Sequence, residues 1–218
     1  MKPSDTVQVP TQIEIVSPQQ PDRKELEQFV QTSFRQAWGA EVHEFMPSLL
    51  GLRNDLGELM GVLGLRSAEA EPLFLERYLD QPVEQLLAAK SGYHIARSEI
   101  VELGNLAVNR GGGRNWLITA MTAYLHAAGA GWVVFTAGPI LRNAFRRLDL
   151  PLLELGPAPP EKLGSEAVRW GRYYEQNPTV MAGRVAYGFE RLNPHFTTEC
   201  TLHSLWHAAG KIGGLRAA

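Results

Sequence analysis

The 218-residue sequence lacks the features that mark secreted and membrane-spanning proteins. Its single cysteine, Cys200, excludes an internal disulfide, which is compatible with a reducing compartment. No apolar run approaches the roughly 20 residues of a transmembrane helix. Residues 1–11 are polar and lack the basic start and apolar core of a secretory signal, so we expect a flexible terminus there. These absences favour a cytoplasmic protein.

The chain also lacks a strong excess of either charge. Its 21 basic and 23 acidic residues give a formal net charge of −2. A molecule this close to neutral has no overall field that would attract nucleic acid or an anionic membrane. We therefore expect no nucleic-acid partner and do not favour membrane contact. The hydrophobic residues, 44% of the total, are enough to bury a full core.

Motifs for resident metals and for common nucleotide sites are missing as well. His203 and His207 share one face of a predicted helix near Cys200, but the glutamate of a zincin motif is not between them. The glycines at 111–113 are followed by neither a Gly-Lys-Ser/Thr triplet nor the last glycine of a dinucleotide fingerprint. We expect no metal and no tightly bound cofactor.

Hydrophobic periodicity predicts a mixed α/β fold. The pattern predicts strands at 12–16, 48–53, 58–66, 99–108, 132–137, near 151–156 and at 180–192. It predicts helices at 21–39, at 73–79 and 83–89 with a break between these two, from the glycine turn to 128, after 137 and at 161–176. The turn at 54–57, Asn-Asp-Leu-Gly, predicts a hairpin. We expect a flexible segment 1–11, a domain 12–192 and a helical extension 193–218.

The segment 98–156 carries the strongest functional signal, because a glycine-rich turn joins an apolar strand to a helix. The free N–H groups and dipole of such a helix start, with two arginines beside them, suit a phosphate or pyrophosphate group. The alternative for the arginines is a solvated loop. The candidate phosphate-binding residues are Val108, Arg110, Gly111, Gly112, Gly113, Arg114 and Asn115.

The order of predicted elements resembles GNAT-type acyltransferases, in which a Gln/Arg-x-x-Gly-x-Gly/Ala loop holds the pyrophosphate of coenzyme A. Residues 110–115 are similar through the fourth position, and Asn115 stands where a small residue is expected. Over most of its length the chain resembles the thermostable haemolysin family, through the blocks Leu73–Leu79, Val101–Ala107, Trp132–Ala137 with Leu141–Phe145, and Trp170–Pro178. This resemblance implies a GNAT-like fold with a C-terminal helical extension, distantly similar to acyl-homoserine-lactone synthases.

Glu102 is the main candidate for a catalytic group. A carboxylate on an otherwise apolar strand is costly to bury, and burial raises its pKa toward the range of a general base. The GNAT resemblance also implies a base at this place. The alternative is a structural carboxylate paired with an arginine or with backbone N–H groups. Asn105 either marks a β-bulge that exposes backbone to an acyl group or caps a turn.

Further candidates lie outside the segment 98–156 or on its predicted strand 132–137. Glu76 and Tyr78 are two residues apart in a predicted helix, so only one of them should face a pocket. We favour Glu76 as a carboxylate that binds the acceptor, and the alternative is a solvated helix face. The candidate substrate-binding residues are Tyr78, Thr136, Tyr173 and Tyr174, although such aromatics also suit a core.

Together these features indicate an acyltransferase. It would bind an acyl thioester of coenzyme A or of a carrier protein's phosphopantetheine between the 99–108 and 132–137 strands, and transfer the acyl group to a small-molecule amine. The competing hypothesis is a membrane-active protein without catalysis, which would contact a bilayer through Trp206 and the segment 196–209. Formation of a homodimer through the same segment is a third possibility.

Overall fold

The computed structural model describes residues 9–109, 113–197 and 200–217, so residues 1–8 of the predicted flexible terminus lie outside the described residues. Over this part of the chain, one seven-stranded sheet contains β1 (Gln12–Val16), β2 (Ser48–Arg53), β3 (Leu59–Ser67), β4 (Ile100–Val108), β5 (Trp132–Ala137), β6 (Leu153–Pro157) and β7 (Thr179–Arg184). The α-helices are α1 (Arg23–Trp38), α2 (Val83–Ser91), α3 (Gly113–Ala127), α4 (Pro139–Arg147), α5 (Val185–Thr197) and α6 (Cys200–Ala217). Short 3₁₀ segments cover Phe74–Tyr78, Arg97–Glu99, Pro160–Trp170 and Tyr173–Gln176. The predicted α/β class is confirmed.

The strand order is β1-β2-β3-β4-β5-β7-β6. Strands β1 to β4 are antiparallel neighbours, β4 and β5 are parallel, and β7 runs antiparallel to both β5 and β6. The predicted hairpin joins β2 to β3. The side-chain oxygen of Asn54 accepts the N–H groups of Leu56 and Glu58 at 3.1 and 2.8 Å, which closes the turn locally.

Helices cover both faces of the sheet, and the alternation of side chains along each strand assigns residues to one face or the other. Val62 of β3 packs in a buried cluster with α1, whereas the adjacent Leu63 packs with α3. On β4, Ile100 belongs to the cluster of α2 and the 3₁₀ segments, whereas Leu103 belongs to that of α3. The first face therefore carries α1, α2 and the 3₁₀ segments, and the second carries α3 to α6.

Two sequence predictions were wrong in this region. The strand predicted at 180–192 ends at Arg184, and α5 begins at Val185. Val185, Gly188 and Leu192 turn inward at helical spacing, which the apparent alternation of the segment obscured. The helix predicted at 161–176 is instead two 3₁₀ segments. The first contains Gly164 and ends at Gly171, and the second ends at Asn177, all three with positive φ.

Gly171 should tolerate substitution far less well than Gly164. Gly171 and Gly164 have similar backbone angles, with φ of 52° and 58° and ψ of −124° and −132°. A Cβ on Gly171 would collide with the carbonyl oxygen of Trp38, whereas a Cβ on Gly164 would meet no atom within 4 Å. We expect Gly171→Ala to lower the free energy of unfolding by about 3 to 5 kcal/mol, against about 1 to 3 kcal/mol for Gly164→Ala.

Urea denaturation of the two variants measures this difference. Gly164→Ala serves as the matched control, because it has the same backbone conformation without the collision. Equal losses in the two variants would contradict the close packing of residues 170–173 against the end of α1.

Candidate active site

The parallel strands β4 and β5 separate halfway along the sheet, and a cavity opens between them. They pair from Ile100 with Trp132 to Leu103 with Phe135. Directly afterwards the register of β4 against β3 shifts, and Asn105 adopts a φ of 49°. This irregularity is the bulge predicted at Asn105. A cavity of about 210 Å³ lies at the separation and has lining residues on both faces of the sheet.

The loop 40–47, between α1 and β2, closes one side of the cavity. The side-chain oxygen of Asn105 accepts the N–H of Met46 at 2.8 Å, and its amide nitrogen donates to the carbonyl of Glu44 at 3.3 Å. From the other side, the buried guanidinium of Arg23 donates to the carbonyl of Met46 at 2.7 Å. Asn105 therefore acts here as a residue that positions the loop.

A pair of glycines makes room for this loop. Gly64 of β3 and Gly104 of β4 are register partners, and the side chain of Met46 lies over both of them. A Cβ on Gly64 would be 2.6 Å from Cγ of Met46. No short-range pattern in the sequence marks these residues, because their pairing depends on the register between two strands.

Glu102 lies in the wall of the cavity with only 2% of its surface exposed. Its carboxylate accepts the backbone N–H groups of Phe74 and Leu75 at 2.9 and 2.8 Å, and Nη1 of Arg66 is 4.0 Å away. Burial raises the pKa of Glu102 to about 6, and the two backbone hydrogen bonds oppose that rise. The carboxylate thus has the partners of a structural group and a pKa suited to accepting a proton near neutrality.

Of the pair Glu76 and Tyr78, the tyrosine faces the cavity and the glutamate does not. Both carboxylate oxygens of Glu76 accept from the guanidinium of Arg97 at 2.8 and 2.6 Å, and each accepts one backbone N–H, from Leu73 and Val83. The Arg97 hydrogen bond lowers the pKa of Glu76 to about 2. The expectation that Glu76 binds the acceptor therefore has no support in the geometry, because a 3₁₀ turn directs residues two apart to different sides.

The part of the cavity on the α1 face has an aromatic wall, which we call the aromatic chamber. It consists of Phe34, Trp38, Phe74, Tyr78, Trp170, Tyr173 and Tyr174. The hydroxyls of Tyr78 and Tyr174 are 2.5 Å apart, and that of Tyr173 is 3.3 Å from the hydroxyl of Thr136. The predicted substrate-binding residues are thus brought together, and they pack on one another as well as lining the cavity.

The hydroxyls of the chamber tyrosines are protonated at neutral pH. Burial raises the pKa values of Tyr78 and Tyr173, and it raises that of Tyr174 to about 12. These groups can therefore donate hydrogen bonds to a ligand but cannot serve as bases.

The glycine turn is described only from Gly113 onward, so Arg110, Gly111 and Gly112 lie outside the described residues. Gly113 begins α3, and a Cβ there would be 2.8 Å from the carbonyl oxygen of Met60. Arg114 lines the cavity, whereas Asn115 is exposed. Val108 ends β4 as the register partner of Gly61.

The part of the cavity on the α3 face is apolar. Its lining side chains include Leu117, Ile118, Met121, Phe135, Leu141 and Phe145, which we call the apolar chamber. Phe135 and Phe145 stack with ring centroids 5.0 Å apart, which joins β5 to α4. The cavity therefore connects an apolar chamber on one face with an aromatic chamber, carrying Glu102 and Arg66, on the other.

A family model described as thermostable hemolysin matches residues 16–189. The chain belongs to this family. The resemblance seen in the sequence blocks is thereby confirmed. No curated protein matches the chain.

Several solved structures are similar to this chain along nearly their whole length. The structure of MesI, a CoA-dependent acyl-homoserine lactone synthase, has a TM-score of 0.56 at 16% identity, and the alignment covers 86% of this chain and 96% of the MesI chain. FeeM, an N-acyl amino acid synthase from uncultured soil microbes, has a TM-score of 0.58 at 17% identity, with coverages of 83% and 94%. An arylalkylamine N-acetyltransferase of the yellow fever mosquito has a TM-score of 0.52 at 13% identity, with coverages of 79% and 87%. At these identities the likeness shows a GNAT-like fold and no more.

The family name raises the question of membrane contact, and the structure bears on the surface predicted for it. Trp206 is 6% exposed and stacks on Phe189 with ring centroids 5.0 Å apart. Its Nε1 donates to the side chain of Asn193 at 3.1 Å. In this fold the indole is part of the core between α5 and α6 and is not available to a bilayer. Within the described residues, no helix has both the length and the apolar character needed to cross a membrane.

Proposed function

We propose that this member of the thermostable hemolysin family is an acyltransferase that moves an acyl group from a thioester to an amine. The thioester is carried by coenzyme A or by the phosphopantetheine of a carrier protein. The observation that carries the proposal is the cavity at the β4–β5 separation, which has the start of α3 on one side and the buried carboxylate of Glu102 in its wall.

The donor occupies the α3 side of the cavity. Arg114 lines the cavity in the first turn of α3, where free N–H groups and the helix dipole favour an anion. Arg110, Gly111 and Gly112 remain part of this proposed phosphate site on sequence grounds. The acyl chain lies in the apolar chamber, which offers no competing hydrogen bonds to a hydrocarbon.

The acceptor occupies the aromatic chamber, where Glu102 can receive its proton. The amine nitrogen attacks the thioester carbonyl carbon, a C–N bond forms, and the proton of the amine passes to Glu102 directly or through a water. The C–S bond then breaks and the thiolate takes up that proton. Backbone N–H groups of β4 beyond Leu103, which do not pair with β5, stabilise the oxyanion.

The similar structures support the general class of reaction. MesI is a CoA-dependent acyl-homoserine lactone synthase, BjaI is a second one solved with isopentyl-CoA, and FeeM forms N-acyl amino acids, as their descriptions state. The donor carrier and the acceptor of this chain are proposals that rest on its own cavity.

Thermal-shift and thiol-release assays test the proposal. We expect acyl-CoA thioesters to raise the melting temperature by preferential binding to the folded state, and to release free coenzyme A when an amine is added. Free coenzyme A and the corresponding fatty acid, given separately, serve as ligand controls. Acyl-pantetheine thioesters replace acyl-CoA in a parallel series, because the carrier can be a protein.

The proposal would be overturned if both donor series failed to stabilise the protein and failed to release thiol. Dye release from liposomes is measured in parallel without any thioester. Dye release without a thioester, together with the absence of thiol release from the thioesters, would favour the membrane-active alternative.

A further inference from the structure

Arg66 is a cationic group in the wall of the aromatic side of the cavity. It lies in β3 and lines the cavity with 18% of its side chain exposed. Among the described residues its guanidinium donates no hydrogen bond, and its Nε is fully buried without one. Its Nε forms an ion pair with Glu71 at 3.3 Å, and its Nη1 is 4.0 Å from the carboxylate of Glu102.

Three other arginines near the same face are engaged by carboxylates or backbone carbonyls. Arg23 donates to backbone carbonyls and to Glu27, and Arg97 donates to Glu76 and Glu84. Arg77 forms a two-pronged pair with Glu166, the carboxylate at the cavity rim. A guanidinium has five N–H donors in a planar fork that fits a carboxylate. Of the other arginines that line the cavity, Arg114 lies in the first turn of α3 and Arg169 is exposed. Arg66 is therefore the cavity arginine beside Glu102 that can hold an anionic group of a ligand.

The distance from Arg66 to Glu102 limits the shape of that ligand. The two residues are register partners on adjacent strands, so their side chains point to the same face, and their charged atoms are 4.0 Å apart. A ligand that engages both must carry its anion and its amine close together. In an α-amino acid the two groups are bonded to one carbon, so every conformation of the ligand holds them close together.

We propose that Arg66 binds the carboxylate of the acyl acceptor, and that the acceptor is an α-amino acid whose amine faces Glu102. The side chain of the amino acid then lies against the aromatic chamber. This inference rests on the proposed acyl transfer for its placement of the amine, but the carboxylate site itself can be tested by binding alone.

Ligand-detected NMR with the full chain tests the site without requiring turnover. The probes are L-phenylalanine, L-leucine and glycine, each beside its decarboxylated amine: phenethylamine, 3-methylbutylamine and methylamine. We expect at least one amino acid to bind more tightly than its amine, and Arg66→Gln to weaken that binding by about 10- to 100-fold, as loss of a charge-assisted, two-pronged contact predicts. Binding of the amines should change little.

Two further variants keep the test decisive. Arg66→Lys retains the charge without the planar fork, so we expect an intermediate loss of affinity even if Arg66→Gln folds poorly. Arg35→Gln, on the exposed side of α1, removes the same charge outside the cavity and should bind the probes as the wild type does.

The outcomes separate this inference from acyl transfer itself. Equal affinity of each amino acid and its amine, or equal affinity in the wild type and both Arg66 variants, would overturn the carboxylate site. Thiol release that is as fast with phenethylamine as with phenylalanine would also overturn it, while leaving acyl transfer intact. Binding that depends on Arg66 without any thiol release would support the site and count against the proposed function.

Discussion

Glu102→Gln should lower acyl-transfer turnover by about 100-fold or more, because the amide cannot accept the proton of the attacking amine. The expected effect is large since Glu102 is the buried carboxylate of the cavity wall with a pKa raised to about 6. Steady-state thiol release with a saturating acyl-CoA measures it. Turnover at the wild-type rate would reject the role of Glu102 as base.

The same substitution should also reduce stability. An amide has one oxygen, so its NH₂ group would face the backbone N–H of either Phe74 or Leu75, which the carboxylate now bonds. The loss of one buried hydrogen bond costs about 1 to 3 kcal/mol. Circular dichroism and the melting temperature must therefore accompany the rate. Glu84→Gln is the matched control, because it removes a carboxylate that pairs with Arg97 outside the cavity.

The pH dependence of the reaction provides an independent check on Glu102. The ionised form is the base, so kcat/KM should rise with pH through about 6. The contribution of Glu102 to stability changes with pH in the opposite direction. A carboxyl whose pKa is raised in the fold favours folding below its unfolded value of about 4.3, and that contribution is lost as pH rises through about 6. An acidic limb that is absent, or that persists unchanged in Glu102→Gln, would contradict the assignment.

Leu141→Trp should prevent the use of long acyl chains. Leu141 lies on α4 and contributes to the apolar chamber, and an indole there would fill space that the proposed acyl chain needs. We expect kcat/KM for dodecanoyl-CoA to fall by about 100-fold relative to that for acetyl-CoA, as for other substrates that are too large for an apolar pocket. Thiol release with the two donors measures the ratio.

Asn143→Trp is the control for this prediction. It places the same bulky residue two positions along the same helix, on an exposed site outside the cavity. Its donor preference should match that of the wild type. A ratio that stays unchanged in Leu141→Trp would mean that the acyl chain does not enter the apolar chamber.

Features that depend on a few neighbouring residues could be predicted from the sequence. The β2–β3 turn is closed by the side chain of Asn54 itself, and α1 ends where Gly39 adopts a φ of 68°. The segment 180–192 was misjudged because its apolar residues fit both an alternating and a helical pattern over a short length. Packing against α3 and β7 selects the helix from Val185 onward.

Some candidate site residues could likewise be found from neighbouring residues, whereas others depend on distant contacts. A charge on an apolar strand indicated Glu102, and the same signal would have found Arg66 on β3. The choice between Glu76 and Tyr78 could not be made locally, because it depends on Arg97, which is 21 residues from Glu76 and takes up its carboxylate. The role of Asn105 in holding Met46 spans 59 residues and was equally hidden.

The amino-acid sequence alone indicated the family, through the resemblance of its sequence blocks. It also determined the α/β class, the hairpin and the presence of a buried carboxylate on the central strand, since these follow from periodicity and short-range spacing. Only the tertiary structure decided which side chains meet at the cavity. That outcome depends on where β4 parts from β5, and on how the loop 40–47 and the segment 160–176 close over the gap. These contacts join residues far apart in the chain, and strand register together with glycine packing sets them, so no local pattern records them.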